Sequence, residues 1–225
     1  APIEGVTLAP DADGTVTKIL AENGAAVKEG DLLLELDASV ELAQLVAAEA
    51  QLKWADLEFR RATDLVAKNS APRNQLDTAE VQLAQASAAV NQIKAQIEKK
   101  RLRAPFAGRI GIRQVNAGQY VSRGRGLIPL QKLDRMYVNF NVPQRQLPAL
   151  SPGQKVFVRV DAFPAPFAGT ISAINSEVDS TTRNISVQAV LPNPEQKLRA
   201  GMFVQVEVEL PGSRPQVVVP ATAVS

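Results

Sequence analysis

Residues 14–37 read G-T-V-T-K-I-L-A-E-N-G-A-A-V-K-E-G-D-L-L-L-E-L-D, and residues 108–130 read G-R-I-G-I-R-Q-V-N-A-G-Q-Y-V-S-R-G-R-G-L-I-P-L. Gly108, Gly118 and Gly124 stand where Gly14, Gly24 and Gly30 stood, and Ile110, Val121 and Leu130 match Val16, Val27 and Leu36. The chain therefore contains an internal repeat with an offset of 94 residues. Glycines that bound short apolar runs are turn punctuation between strands. Tight turns ask for positive φ, which glycine supplies without steric cost. The expectation is one small β domain made of two similar halves, with something else inserted between them.

The insertion has a different period. Leu45, Leu52, Phe59 and Val66 recur every seven residues, followed three positions later by Ala48, Ala55 and Ala62; Leu76, Leu83, Val90 and Ile97 do the same, accompanied by Ala79, Ala86 and Ile93. Sustained sevens imply a left-handed supercoil, and alanine at alternate seam positions lets two backbones approach. The eight larger residues are the expected seam of an antiparallel hairpin with arms at 39–69 and 74–102. Ser39 is the expected N-cap, with Glu41 in the first turn. Pro72, in Asn69-Ser70-Ala71-Pro72, is expected to end the first helix. Each arm would be roughly 45 Å long at 1.5 Å per residue. Leu42, Trp54 and Leu57 fall outside the seam, either as scattered surface apolars or as a face for lateral packing against neighbouring hairpins.

From Tyr137 the period switches to two, in Y-V-N-F-N-V, K-V-F-V-R-V, G-T-I-S-A-I, I-S-V-Q-A-V and M-F-V-Q-V-E-V-E-L, with turn chemistry at Ser151-Pro152-Gly153 and Pro192-Asn193-Pro194. Half-buried strands follow from that alternation. Residues 143–150 suit a short helix, and five strands with one short helix fit a small antiparallel barrel. Asp179 and Arg183 are expected to form an ion-paired turn.

Composition bounds the function. The chain has 225 residues, 45 % hydrophobic but only 4 % aromatic, which suits two or three thin-cored domains better than a deep enzyme pocket. Net charge is +2 with scattered basic residues, so nucleic acid is not an expected partner. Cys and His are both absent, which removes disulfides, thiol nucleophiles, His-based triads and most zinc or copper sites. Met136 and Met202 are the two soft donors left. Gly124-Arg125-Gly126 lacks the lysine and serine of a phosphate-binding loop and no following helix is expected. No enzyme activity, cofactor or metal is expected. No run approaches the roughly 20 apolar residues of a membrane span. The chain starts and stops inside strand-like patterns, so both ends are expected to be trimmed from a longer protein.

The repeat resembles the two half-motifs of the biotinyl/lipoyl domain. In the carriers of that family a lysine on the turn joining the halves bears the cofactor; here Asp37 is followed by Ala38-Ser39. The whole arrangement resembles the periplasmic adaptor, or membrane fusion protein, family of Gram-negative tripartite efflux pumps. Its most specific parts are L-R-A-P-F-A-G-R-I-G (102–111), I-N-S-E-V-D-S-T-T-R-N-I-S-V-Q-A (174–189) and L-R-A-G-M-F-V-Q-V (198–206), most like adaptors of resistance-nodulation-division pumps. The resemblance implies an elongated multi-domain α+β chain: a split lipoyl/biotinyl-type domain (1–37 and 104–134), a coiled-coil hairpin (38–103), a small antiparallel β-barrel (135–211) and the start of a membrane-proximal domain (212–225).

It also implies a role, linking an inner-membrane efflux transporter to a TolC-type outer-membrane channel for export of small molecules or drugs. The protein would lie in the periplasm, anchored to the inner membrane through an N-terminal segment outside this sequence, and self-associate as a hexamer or trimer of dimers. The family's hairpin tip carries an Arg, a Leu four residues on and a Ser seven beyond, which meet the channel. Arg61 and Leu65 fit the first two; the third falls on Pro72, with Ser70 close by and Arg73 beside it. The alternatives are an adaptor of an ABC, major-facilitator or type I secretion exporter, and a lipoyl or biotin carrier protein.

Overall fold

The computed structural model describes residues 2–209 and 218–220. In chain order these form β1 (Pro2–Leu8), β2 (Gly14–Ile19), β3 (Ala26–Val27), β4 (Leu32–Leu36), α1 (Ser39–Ala67), α2 (Arg73–Lys99), β5 (Arg101–Arg103), β6 (Gly108–Ile110) and β7 (Tyr120–Val121). There follow β8 (Ile128–Pro143), a 3-10 helix (Gln144–Ala149), β9 (Lys155–Val160), β10 (Phe163–Val178), β11 (Asn184–Pro192), β12 (Gln205–Val208) and β13 (Val218–Pro220). The chain divides into two compact units, residues 7–129 and residues 1–6 with 130–225.

In the first unit the sequence repeat becomes an exchange of strands. Gly14 of β2 lies opposite Val121 of β7, and Gly108 of β6 lies opposite Val27 of β3; the repeat offset converts one pair into the other. The turns obey the same rule. The Gly24 N–H donates to the Ile110 carbonyl at 3.0 Å and Gly118 to Val16 at 2.8 Å, while Gly30 donates to Ala104 at 2.8 Å and Gly124 to Pro10 at 3.0 Å. Each half thus satisfies the backbone of the other, which a buried backbone requires. Gly24, Gly30, Gly118 and Gly124 have φ between 77° and 83°, the left-handed region that excludes most side chains. Gly14 and Gly108 instead open strands, so only two of the three glycines in each half serve a turn.

The hairpin is inserted between β4 and β5, and its ends differ from the sequence expectation in four respects. Ser39 is the first helical residue and not the cap: Ala38 is the cap, and Asp37 Oδ1 accepts the Ser39 N–H at 3.0 Å. Pro72 does not stop α1. The helix ends at Ala67 because Asn69 turns to φ 52°, with Ser70 N–H bonded to the Leu65 carbonyl at 2.8 Å and Asn69 N–H to Val66 at 3.0 Å. That paired closure is a Schellman motif, and asparagine tolerates its left-handed position. Pro72 caps α2 instead, at φ −74° and ψ 150°, which its ring favours. Finally α2 stops at Lys99, because Arg101–Arg103 pairs with β4, Leu102 opposite Leu34. Residues 101–103, expected in the hairpin, belong to the sheet β5-β4-β2-β7.

With 29 and 27 residues the arms are about 43 and 40 Å long. Their seam is closed by small residues: Ala55, Ala62, Ala79 and Ala86 are buried with Val90 and Ile97. Leu45, Leu52, Phe59, Val66, Leu76 and Leu83 are half-buried.

The second unit is antiparallel. Its strand order runs β13-β12-β9-β10-β11-β8, with β1 also on β8. The period of two shows directly in β9, where Val156, Val158 and Val160 are buried and Lys155, Phe157 and Arg159 are exposed. Register shifts in β10 near Phe163–Phe167 and after Ile171 and Ile174 mark bulges that curve a long strand. One core gathers Met136, Phe140, Val158, Ile171, Val187 and Leu191 among others. Asn193, its one buried polar residue among those described, donates to the Leu133 and Leu198 carbonyls at 2.7 and 3.1 Å and accepts the Leu198 N–H at 3.0 Å.

Two boundaries and one turn differ here. Residues 1–6 and 130–134, expected in the lipoyl-type domain, fall in this unit, because β1 pairs with β8. The segment 212–225 lies outside the described residues except for β13, whose backbone pairs with β12, Val219 opposite Val206. Asp179 and Arg183 form no ion pair among the described residues. The Asp179 carboxylate accepts the N–H groups of Thr181 and Thr182 at 2.9 and 2.8 Å, and Arg183, at φ 55°, closes the turn through its backbone. Those N–H bonds, that of Thr182 foremost, hold the Asp179 carboxyl below its ordinary range.

Candidate functional site

The hairpin offers two places where side chains of different elements converge, its tip and its root. At the tip, Arg61 and Leu65 sit one turn apart on one face of α1. Arg61 is exposed and ion-paired to Glu58 at 2.5 Å, so its charge is partly compensated by its own helix. Leu65 is 41 % exposed, large for a leucine whose neighbours could have covered it. The Schellman closure brings Ser70 back over Leu65, and the Ser70 hydroxyl donates to the Lys68 carbonyl at 3.3 Å. Pro72 and Arg73, at the start of α2, are both exposed. The tip therefore displays an apolar residue, a proline and two arginines around the bend.

Beside it runs a shallow groove that heptad counting does not reveal. Trp54 and Glu58 of α1 face Asn74, Gln75, Thr78 and Gln82 of α2 across a floor of buried alanine. Trp54 is half exposed, and Val40, Leu42, Val46 and Leu57 are exposed along the same helix, against Val81 alone on α2. The signal in the sequence was the amide-rich composition of the second arm, which leaves the apolar surplus on the first.

At the root, Lys100 stands beside the end of β4. Its Nζ donates to the Asp37 carbonyl at 2.7 Å and pairs with Glu41 Oε1 at 2.8 Å. The lysine missing after Asp37 in sequence is present there in space, held by two partners. The hydrogen bond from Lys100 keeps the Glu41 carboxyl below the ordinary carboxylate range, and the Ser39 N–H does the same for Asp37. Around it Arg101 reaches Glu98 at 2.7 Å and Glu35 at 3.7 Å. Among the described residues no helix is long and apolar enough to cross a membrane.

The family follows from comparison. Residues 4–128 match the model of the barrel-sandwich hybrid domain of resistance-nodulation-division membrane fusion proteins, and residues 135–212 match a CusB-like β-barrel domain. An uncharacterized protein of Haemophilus influenzae is 37 % identical, covering 100 % of this chain and 59 % of its own length. The solvent efflux pump periplasmic linker SrpA of Pseudomonas putida is 30 % identical over 96 % of this chain and 61 % of its own. Multidrug resistance protein MexA of Pseudomonas aeruginosa is 29 % identical over 89 % and 56 %. The chain thus spans about six-tenths of the length of the curated relatives it matches. Among solved structures, a MacA–MexA chimeric protein containing the Pseudomonas aeruginosa MexA α-hairpin superposes with a TM-score of 0.83 at 22 % identity, covering 99 % of this chain and 80 % of that one. That likeness shows the fold, a lipoyl-type domain split by a hairpin and followed by a β-barrel. With both domain models matched in order, the chain belongs to the membrane fusion protein family, the periplasmic adaptors of efflux pumps, on its resistance-nodulation-division branch.

Proposed function

We propose that this chain is the central part of a periplasmic adaptor that links an inner-membrane transporter of the resistance-nodulation-division type to a TolC-type outer-membrane channel, for export of small molecules or drugs. The observation that carries the reading is the hairpin: two long helices leave the β domain with Leu65 exposed at the bend and a line of exposed apolar residues along α1. Exposed apolar surface of that kind is a contact surface for another protein. In this reading Arg61, Leu65, Ser70, Pro72 and Arg73 meet the channel, and the α1 face packs against neighbouring copies in a ring of about six, a number taken from the family and consistent with closed symmetry. Each contact is weak alone, and several made together through a ring give avidity. The chain works in the periplasm in this scheme, anchored by a segment outside this sequence. The relatives named as multidrug, solvent and toluene pump linkers support the substrate class.

The test is site-specific photocrosslinking in cells. A photoreactive residue at position 65 or 73 is expected to capture an outer-membrane channel protein, and Arg61→Asp is expected to lower the yield several-fold. Capture from neither position would refute docking at the tip.

A further inference from the structure

The hairpin joins its β domain through two adjacent crossings, and both are organised around one residue. The Lys100 carbonyl accepts the Leu36 N–H at 2.9 Å, so the β4–β5 ladder continues to the last residues before the insertion. Its ammonium group then donates to the Asp37 carbonyl at 2.7 Å and pairs with Glu41 at 2.8 Å, in the first turn of α1. The end of α2, the exit of β4 and the start of α1 meet at one Nζ.

This pair differs from the others along the arms. Lys100 and Glu41 side chains are 17 % and 19 % exposed, whereas the cations paired with Asp56, Glu58 and Glu49 are 73 %, 69 % and 54 % exposed. Exposed pairs contribute little; a largely buried one is costly to break, since it strands a charge. The second oxygen of Glu41, Oε2, is buried and has no hydrogen-bond partner among the described residues, so Lys100 is the foremost group holding that carboxylate. Glu35, Lys18 and Arg101 line the adjoining cavity and are engaged with one another.

We propose that Lys100 is a positioning residue, an electrostatic latch that fixes the direction in which the hairpin leaves the β domain. The arm is a lever: a 10° change at the root displaces a tip 40 Å away by about 7 Å, more than a side-chain contact can span. With the latch closed, the tip is presented at one place. With it open, the Arg101–Glu98 pair at 2.7 Å still ties the end of α2 to β5, and backbone bonds such as Asp37 N–H to the Thr15 carbonyl at 2.8 Å persist, but α1 loses its tie to Lys100 and the angle softens. What the latch serves rests on the docking role proposed above; that it sets the angle does not.

The experiment uses the full-length protein, free of other cysteines, with spin labels at Lys68→Cys beyond α1 and Ser122→Cys in the β domain. Pulsed dipolar spectroscopy is expected to give one narrow distance distribution in the unsubstituted background. Lys100→Gln and Glu41→Gln are each expected to broaden it at least two-fold, and the double variant no further than Lys100→Gln alone, because that substitution already removes both bonds of the ammonium group. Should a single variant lose helix by circular dichroism, Glu41→Met with Lys100→Met keeps the chain length of the side chains without a stranded charge, and it must still broaden the distribution. Widths unchanged in the folded variants would overturn the latch. The measurement needs no channel, so failure to crosslink from position 65 with widths behaving as expected counts against docking and leaves the latch standing.

Discussion

In the barrel unit Val156, Val158, Ile171, Val187 and Leu191 are between 0 and 2 % exposed, whereas in the hairpin Leu45, Leu52, Phe59 and Val66 keep part of their surface in water and only Ala55 and Ala62 of α1 are closed off. The difference is geometric. A curved sheet folds its apolar face onto itself, so long side chains meet from several strands and bury at about 25 cal/mol per Å². Two helices share one seam. Alanine brings the backbones together there but contributes little area, and the larger residues flank it with one side open. Among the described residues the barrel core is closed to water, whereas the hairpin seam stays partly open.

That contrast can be broken at chosen positions. The largest effect is expected from Ile171→Ala in the barrel core, about 3 kcal/mol by the usual cost of a cavity, measured by chemical denaturation. Asn193→Ala should cost about 2 kcal/mol, because the carbonyls of Leu133 and Leu198 and the Leu198 N–H would lose their partner while buried; Asn193→Asp restores the acceptor only and should recover part of it. Leu52→Ala, on the half-open seam, should cost about 1 kcal/mol and leave the barrel transition in place. A Leu52 effect as large as that of Ile171 would mean the hairpin is as closed as the barrel.

Acid sharpens the comparison. Glu41 and Asp179 both have folded pKa values below their ordinary ones, so each contributes stability above the ordinary carboxylate range that is lost as pH falls through the folded value. Glu41 loses its bond from Lys100, Asp179 its bonds from Thr182 and Thr181. Glu41→Gln is expected to flatten the acid dependence of helix content, and Asp179→Asn that of the barrel transition, each without the other. The smallest effect is at Asn69. Glycine there should stabilise the hairpin by about 0.5 kcal/mol, since φ 52° is strained for a residue with a Cβ, read as a small rise in Tm.

Much of this fold was legible because its periods differ. Sevens marked the arms, twos marked β9 and β11, and the glycine offset marked the two halves. What the offset could not say is that each half completes the other, because the partner of Gly24 is Ile110, far away in sequence. The end of α2 was hidden in E-K-K-R-L-R, a run that suits helix or strand equally; pairing of Leu102 with Leu34 decides it. Pro72 drew attention as a breaker while the turn was made by Asn69, whose side chain says little until the φ angle is known. Lys100 was invisible for the same reason as Ile110. Its partners, Asp37 and Glu41, are neighbours only once the arms have closed.

The bond between Leu36 N–H and the Lys100 carbonyl gives the hairpin the status of a cassette. A β turn of two residues could replace residues 38–99 without disturbing the ladder that borders them, and a longer coil could be hung from the same two strand ends. Adding one heptad to each arm would extend the hairpin by about 10 Å while keeping the seam in phase, so its length can be raised or lowered in steps with no change to the domain that carries it.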